Sequence, residues 1–292
     1  MSLLVLGANG FVGQSFVRKK MPSEIYTARR PPTKDYLAFD PSTDSLQEIP
    51  GITGITHALL LFAEREPDRC AVETARTREV NVEIPCKVID QCLELGITPI
   101  FASSELVFGG EQGMYEEHST PTPILEYGRQ KLFTEQYLLS RSKSGMVLRF
   151  PKTVGIHKGD RSLLVGWLER IAQRPELLRC AADQYFSTQF VDDVPAIVRL
   201  LIHKYRSGLF HLGDGQRHSR FGLLSQLCAQ LHRLGHYVPK LEKISIRDVT
   251  VPEPRPFDVS MNASKLTSII GVEPKRVEDL LLQLALEYRG SR

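Results

Sequence analysis

The sequence has few of the features that mark membrane, metal-binding or disulfide-stabilised proteins. No apolar run approaches the roughly 18 residues that a membrane-spanning helix needs. The five cysteines are odd in number and form no C-x-x-C pair, which argues against a disulfide framework or a thiolate metal site. The eight histidines show no H-E-x-x-H or similar ligand spacing. We therefore expect reduced thiols, no metal ion and no membrane association.

The chain also lacks a strong excess of charge of either sign. Its 37 Lys and Arg residues against 34 Asp and Glu residues give a net charge of +3, and its basic clusters are short. Nucleic-acid grooves need longer basic stripes, so nucleic acid is not an expected partner. The apolar start, Ser2–Leu6, is too short for a signal-peptide core and has no basic flank. It predicts a first strand and a cytoplasmic protein.

A length of 292 residues with 42% hydrophobic and 24% charged residues allows a large α/β unit with a smaller appended domain. In the first half, short apolar runs alternate with longer amphipathic stretches, as in β-α-β units with a parallel sheet. The predicted strands are Ser2–Leu6, Glu24–Ala28, His57–Phe62, Pro99–Ser103 and Met146–Phe150, and the predicted helices are Phe11–Lys20, Arg78–Leu95 and Tyr127–Ser140.

After Pro151 the pattern becomes irregular. The elements predicted there are helices at Ser162–Ala172, Val194–His203, Phe221–Leu234 and from Val277, and strands at Phe186–Phe190 and Gly208–Leu212. We expect an α/β protein with a doubly wound parallel sheet and a smaller, interleaved C-terminal substrate domain. Residues 1–153 and 186–214 would form the larger domain, and residues 154–185 and 215–292 the smaller one.

Three glycines follow the first predicted strand at a G-x-x-G-x-x-G spacing. Gly7, Gly10 and Gly13 stand where the strand ends and a helix opens. Glycine permits a tight turn and a close approach of backbone to a pyrophosphate, and the helix N-terminus offers free N–H groups to the phosphates. The motif predicts a Rossmann-type dinucleotide site.

The end of the second strand should decide which dinucleotide binds. A carboxylate there would bond the ribose 2′-hydroxyl of NAD, whereas an arginine would pair with a 2′-phosphate. The strand ends at Ala28 and is followed by Arg29 and Arg30. NADP(H) is therefore favoured, with Arg29 ahead of Arg30, while NAD(H) stays open if both arginines are only solvated. Asp40 is placed to meet the adenine edge, although a turn-forming aspartate has the same pattern.

Tyr127 and Lys131 are four residues apart, so a helix would place both side chains on one face. A nearby ammonium group stabilises a phenolate and should lower the pKa of the tyrosine from about 10, which would suit proton transfer. The lysine can also hold the nicotinamide ribose. Ser104, at the end of a strand, could hold a substrate carbonyl, with Ser103 as the competing choice and a turn cap as the structural alternative.

Four segments together resemble the extended short-chain dehydrogenase/reductase family, most closely its dTDP-4-dehydrorhamnose reductases. Residues 7–13 match the nucleotide loop, and Val80–Val82 matches a V-N segment. Ser103–Phe108 is similar to the S-T-D-Y-V-F segment, and Arg255–Leu266 is similar to the R-P-x-N-S-x-L-x-x-x-K-L close of the reductases. The resemblance covers nearly the whole chain.

The resemblance implies hydride transfer from a nicotinamide to the C4 keto carbon of a nucleotide-linked deoxysugar. Tyr127 would protonate the oxygen, Lys131 would bind the ribose, and Ser104 would hold the carbonyl. The residues assigned to the cofactor are Gly7, Asn9, Gly10, Phe11, Val12, Gly13, Arg29, Arg30, Asp40, Phe62, Ala63, Asn81, Tyr127 and Lys131, and those assigned to the substrate are Ser104, Phe108 and Arg255. Leu106 replaces a family tyrosine, and the segment Leu148–Lys152 lacks a family tryptophan.

Three other functions remain open at this point. A sugar-nucleotide epimerase uses the same Ser-Tyr-Lys set for reversible oxidation. A 4,6-dehydratase is disfavoured, since it needs an Asp-Glu pair beside the hydroxyl, whereas Glu105 is followed by Leu106. A non-catalytic dinucleotide-binding regulator, like the regulatory β subunit of methionine adenosyltransferase, would share the fold. The expected partner is a small molecule, a nucleotide sugar, and a homodimer is allowed.

Overall fold

The computed structural model of the chain describes residues 2–157, 159–204 and 206–288. Within these ranges the largest element is a seven-stranded parallel sheet. Its strands, in spatial order, are β11 (Gly208–His211), β6 (Met146–Phe150), β5 (Thr98–Ser104), β4 (His57–Leu60), β1 (Leu3–Leu6), β2 (Glu24–Ala28) and β3 (Leu37–Ala38). The chain order reverses between β1 and β4, and in such sheets ligands bind at that point, beyond the carboxyl ends of the strands.

Helices cover both faces of the sheet, which explains why its inner strands are continuously apolar. In β1, Leu3 and Val5 pack into one hydrophobic cluster with Phe16, and Leu4 and Leu6 pack into a second cluster on the opposite face. The helices are α1 (Phe11–Arg18), α2 (Pro67–Val72), α3 (Thr74–Arg78), α4 (Ile84–Glu94), α5 (Glu126–Arg141), α6 (Leu163–Ala172), α7 (Val194–His203), α8 (Arg220–Arg233), α9 (Ser264–Ile270) and α10 (Val277–Glu287). The predicted Rossmann-type α/β fold is thereby confirmed.

A third hydrophobic cluster lies outside these two layers. It joins Trp167, Leu227 and Leu281 to residues of the first half such as Phe108 and Tyr115. Three two-stranded sheets surround it: β7 (Lys152–Val154) with β10 (Thr188–Phe190), β8 (Leu177–Ala181) with β13 (Lys240–Ile244), and β9 (Tyr185–Phe186) with β12 (His218–Ser219). The domain division at residue 153 stays a prediction, and this cluster supports a second core that draws residues from both sides of it.

Some predicted elements differ from the structure in informative ways. The strand predicted to reach Phe62 ends at Leu60, and the helix predicted over Arg78–Leu95 contains a π-helical segment, Glu79–Glu83. The single strand predicted over Phe186–Phe190 is two strands, β9 and β10, that pair with different partners. Strands β3, β7, β8, β12 and β13 were not predicted. The first, second and fourth of these have only two or three residues, and β8 and β13 are interrupted by charged residues.

The structure also bears on the features that the sequence lacks. No helix in the described ranges combines the length and apolar composition needed to cross a bilayer. Across the same ranges, no three His, Cys, Asp or Glu side chains are arranged to hold a metal ion. All five cysteines are free thiols, and four of them are buried.

Candidate functional site

Residues 7–13, which we call the glycine turn, connect β1 to α1 by an unusually close backbone path. Gly7 has a φ of +79°, and a Cβ there would lie 3.0 Å from the backbone nitrogen of Phe62. A Cβ on Gly13 would lie 2.5 Å from the Cα of Ala8. Both positions therefore require glycine, because a side chain would force the turn away from β4 or lift α1 from β1.

The helix that follows the turn presents an open N-terminus. Gly10 is the N-cap of α1, and no side chain in the described ranges caps it. Asn9 and Gly10 are exposed, and Phe11 and Val12 are half-buried. The first-turn N–H groups of such a helix attract anions. This cradle, which Gly7 and Gly13 hold close to Phe62 and Ala8, fits the pyrophosphate of a dinucleotide.

The residues assigned to the ribose and adenine end lie along the same edge. Arg29 and Arg30 follow β2 directly and are exposed, and neither guanidinium forms an ion pair with a described residue. Asp40 accepts hydrogen bonds from the backbone N–H and the hydroxyl of Ser42, at 3.0 and 2.6 Å. The structure therefore gives Asp40 the turn-forming role. Its contact with adenine stays a prediction.

Ser104 ends β5 beside the neighbouring strand β6, where its register partner is Phe150. Its hydroxyl accepts a hydrogen bond from the N–H of Leu106 at 3.2 Å and so caps the short 3₁₀ turn Glu105–Val107. The cap and the catalytic role were alternatives at the level of sequence, but the same hydroxyl also lies close enough to Tyr127 to lower the pKa of the phenol against the effect of burial. The competing Ser103 has a buried hydroxyl without a partner in the described residues.

Helix α5 brings Tyr127 and Lys131 to this strand end. Both side chains are buried, with 8% and 4% of their surfaces exposed. The Lys131 ammonium donates to the carbonyl of Ala102 at 3.0 Å and lies 5.8 Å from the centre of the Tyr127 ring. The structure therefore brings Ser104, Tyr127 and Lys131 together. We call these three residues the proton-transfer group.

Gly128, which was not among the residues predicted for the site, explains how α5 approaches so closely. A Cβ at this position would overlap the carbonyl oxygen of Leu106 in the turn after Ser104. Glycine costs a helix interior about 1 kcal/mol relative to alanine, so its presence beside Tyr127 was a local signal. The need for glycine at position 128 becomes clear only from the structure, in which the turn after Ser104 packs against this part of α5.

The electrostatics of the proton-transfer group differ from the sequence expectation. Burial raises the pKa of Tyr127, and the hydrogen bond from Ser104 opposes that shift only in part. The expected lowering of this pKa by Lys131 is therefore wrong for the protein alone. Burial also lowers the pKa of Lys131 to about 8, against the opposing charge of Glu135. At neutral pH the phenol is consequently protonated.

Asn81 lies in the π-helical segment and is fully buried. Its amide accepts from the N–H of Glu64 at 2.8 Å and donates to the Glu64 carbonyl at 2.9 Å and to Gln130 at 2.8 Å. It thus joins α5 to the segment that follows β4 and includes Phe62 and Ala63. These bonds give Asn81 a supporting role, and π-helical turns of this kind are frequent at functional sites.

The two further residues assigned to the substrate have other partners. Phe108 is fully buried and stacks on Tyr115, with the two ring centres 4.1 Å apart. The Arg149 guanidinium lies 5.0 Å from the centre of the Phe108 ring. This is a packing role, behind the proton-transfer group. Arg255 donates to Asp68 at 2.6 Å and to the Glu253 carbonyl at 3.2 Å, which ties its loop to α2.

A buried ion pair joins α5 to the sheet strand β6. Arg149 of β6 donates to both carboxylate oxygens of Glu135 at 2.7 to 3.2 Å, and both side chains are at most 3% exposed. His211 of β11 lies 3.4 Å from the same guanidinium, and burial followed by the Arg149 charge lowers the pKa of His211 to about 3. This neutral histidine and the ion pair were not predicted, because their members come from three separate elements.

The chain is similar to known proteins over nearly its full length. The family described as RmlD substrate binding domain matches residues 1–289. The probable low-salt glycan biosynthesis reductase Agl14 of Haloferax volcanii is 25% identical, over 99% of this chain and 98% of its own length. Methionine adenosyltransferase 2 subunit beta of Rattus norvegicus is 24% identical over 71% of this chain, which spans 63% of that protein.

The fold is also similar to that of solved structures. The dTDP-4-dehydrorhamnose reductase of Bacillus anthracis, solved in complex with NADP, superposes with a TM-score of 0.84 and covers 99% of this chain and all of its own. The two sequences are 18% identical, so this likeness concerns the fold alone.

Proposed function

The chain belongs to the RmlD substrate binding domain family, and on that premise we propose that it is an NADP(H)-dependent reductase of a nucleotide-linked 4-keto deoxysugar. The observation that carries the proposal is the convergence of Ser104, Tyr127 and Lys131 at the carboxyl edge of the sheet, the same edge at which the glycine turn lies. The Haloferax volcanii relative is named as a reductase, and the Bacillus anthracis enzyme is a dTDP-4-dehydrorhamnose reductase with NADP.

The glycine turn and the N-terminus of α1 would hold the pyrophosphate of the dinucleotide, and Arg29 and Arg30 its 2′-phosphate. Neither arginine needs to leave an existing ion pair in the described residues to do so. NAD(H) would leave both cations without a partner, so we propose NADP(H) as the preferred form. When bound, the reduced cofactor supplies the hydride for the carbonyl carbon.

The proton-transfer group would then complete the reduction. The Ser104 hydroxyl holds the carbonyl oxygen, and Tyr127 gives its phenolic proton to that oxygen as negative charge develops there. Lys131, whose pKa is lowered to about 8, stays close enough to stabilise the resulting phenolate and to help return a proton to it. Each group acts over contacts that burial protects from competing water.

The named relatives favour reduction over epimerisation, because the Haloferax volcanii protein and the Bacillus anthracis enzyme are both named as reductases. A sugar-nucleotide epimerase would use the same Ser104, Tyr127 and Lys131 for reversible oxidation. The epimerase therefore stands as the second candidate.

The proposal is tested with dTDP-4-dehydrorhamnose and NADPH, following absorbance at the nicotinamide band. Tyr127→Phe should lower kcat by about 100-fold or more, with unchanged affinity for NADPH. Tyr137→Phe is the matched control, because Tyr137 lies on the same helix and bonds to Asp90 at 2.6 Å, away from the site. Full turnover by Tyr127→Phe would overturn the catalytic assignment.

A non-catalytic regulator is the third candidate, since the chain is also similar to a methionine adenosyltransferase subunit. That function requires dinucleotide binding and a partner enzyme but no Tyr127 chemistry. Absence of turnover with every keto sugar tried, together with co-purification of an enzyme partner that Tyr127→Phe also retains, would favour it over the reductase.

A further inference from the structure

Helix α5 begins without a capping side chain of its own. Its N-cap residue, Leu125, is apolar and cannot accept a hydrogen bond from the first turn. The first N–H groups of a helix have no partner within the helix, and helix ends therefore fray. Tyr127 lies in this turn, as the second helical residue. The phenol proposed to transfer the proton is thus attached to an end of α5 that needs support from elsewhere.

A carboxylate from a distant part of the chain supplies this support. The N–H of Glu126 donates to both carboxylate oxygens of Glu253, at 3.1 and 3.0 Å, although the two residues are 127 positions apart. A negative charge at a helix N-terminus is also favourable, because the free N–H groups there carry partial positive charge. The Glu253 side chain is 17% exposed, so water has limited access to these bonds. Glu253 therefore caps α5 from outside the helix.

Arg129 holds the Glu253 carboxylate against the first turn of α5. Its guanidinium donates to Oε1 of Glu253 at 2.8 Å and to the side chain of Glu126 at 2.9 Å. It also donates to the carbonyl of Ile124, which precedes the helix, at 3.2 Å. Hydrogen bonds between charged groups are stronger than those between neutral ones. The cap is therefore fixed by side chains on both sides of the helix start.

The segment that carries the capping carboxylate is itself anchored. Three prolines within residues 252–256 restrict its backbone. Arg255 donates to Asp68 of α2 at 2.6 Å, and the N–H of Asp258 donates to the carbonyl of Gly110 at 3.1 Å. The segment thus contacts α2 and the chain that follows β5, as well as α5. It can hold the start of α5 at a defined place relative to the sheet.

We propose that Glu253 is a positioning residue, which fixes the first turn of α5 and thereby holds the Tyr127 phenol where proton transfer requires it. The same turn packs on the carbonyl of Leu106 through Gly128, so two separate contacts define its place. A displacement of about 1 Å at a reacting group can lower a rate by about 100-fold. This inference rests on the proposed reductase function, in which Tyr127 gives its proton to the carbonyl oxygen.

The test measures turnover of dTDP-4-dehydrorhamnose with NADPH. Glu253→Ala removes the cap and should lower kcat by about 10-fold, with KM changed by less than about 3-fold and NADPH affinity unchanged. Glu253→Gln keeps an oxygen that accepts from the Glu126 N–H, so it should restore kcat to within about 3-fold of the unmodified protein. Glu242→Ala is the matched control, because the Glu242 carboxylate also pairs with an arginine, Arg179 at 3.0 Å, but joins two strands. It should leave kcat unchanged.

Amide hydrogen exchange, followed by mass spectrometry over residues 125–131, gives a readout that does not need turnover. Exchange there should be about 5- to 10-fold faster in Glu253→Ala and close to normal in Glu253→Gln. A merely structural role would lower the urea midpoint but leave kcat of the folded protein unchanged, and that outcome overturns the proposal. If the unmodified protein turns over no keto sugar, the reductase function fails, and exchange alone decides. Faster exchange that Glu253→Gln corrects supports the inference, and equal exchange in all variants overturns it.

Discussion

The two ends of the candidate site consist of different chemical groups, backbone at the dinucleotide end and buried polar side chains at the carbonyl end. At the dinucleotide end, the glycine turn brings two backbone segments close together. The charged side chains assigned to the cofactor at this end are Asp40 and the exposed Arg29 and Arg30. At the carbonyl end, the surface consists of buried polar side chains, among them Glu105 and Lys131. Behind them lies a buried ion pair rather than a purely apolar core.

This difference separates two ways of making a binding site. A site made of backbone needs little more than correct chain geometry, so it tolerates changes of nearby side chains but not of its glycines. A site made of buried charged side chains depends on every one of them, because removing one charge leaves its oppositely charged partner buried without compensation. The comparison therefore predicts opposite patterns of sensitivity at the two ends.

The largest effect is expected from the buried ion pair at the carbonyl end. Arg149→Met should lower the free energy of unfolding by about 3–5 kcal/mol, because it leaves the Glu135 carboxylate buried without its partner. Urea denaturation measures this loss. Arg141→Met is the control, since the ion pair of Arg141 with Asp90 is exposed and should contribute less than about 1 kcal/mol. Equal losses in both variants would mean that burial adds nothing to the contribution of the Arg149–Glu135 ion pair.

The next effect is a pH dependence that comes from Glu105. Burial raises the pKa of Glu105 to about 7 from 4.5, so the folded protein binds more protons than the unfolded chain between these values. The contribution of this group to stability is therefore present below pH 4.5 and is lost as the pH rises through 7. Glu105→Gln should be more stable than the unmodified protein by on the order of 3 kcal/mol at pH 8 and by much less at pH 4.5.

Thermal or urea unfolding at several pH values measures the Glu105 effect. Glu116→Gln serves as the comparison, because that carboxyl is exposed. Its stability should follow the unmodified protein across the range. A difference between Glu105→Gln and the unmodified protein that is independent of pH would mean that the Glu105 carboxyl titrates normally in the folded state.

The same contrast explains what could be read from the sequence. The glycine turn is recognisable because its three glycines lie within seven residues, between a strand and a helix. The Tyr127 and Lys131 pair is recognisable because helical periodicity connects residues four apart. Both are local patterns, and the structure places them as local patterns predict.

Features that depend on tertiary contact could not be predicted in this way. The raised pKa of Glu105 follows from its burial in the turn after β5, and no local pattern in the sequence indicates that burial. The raised pKa of Tyr127 follows from burial, which the spacing of Tyr127 and Lys131 does not report. Phe108 was predicted to contact the substrate, but its stacking on Tyr115 places it in the core.

A smaller effect tests whether a glycine can also be decisive at the carbonyl end. Gly128→Ala should destabilise the protein by about 1–3 kcal/mol and lower kcat, because its methyl group would push α5 away from the carbonyl of Leu106. Gly166→Ala is the control, since Gly166 lies within α6 and a Cβ added there would meet open space. That substitution should stabilise the protein by about 0.5–1 kcal/mol. Differential scanning calorimetry separates the two signs.

The smallest effect is expected where side chains matter least, at the dinucleotide end. Arg29→Ala should weaken NADPH binding by about 10-fold, because it removes one charged partner of the 2′-phosphate, and should leave NADH binding nearly unchanged. Lys34→Ala removes the same charge from a nearby exposed position and controls for long-range attraction. Fluorescence titration gives both affinities. If both variants weaken NADPH and NADH alike, the arginine acts only through the general field, and the dinucleotide end is then made of backbone alone.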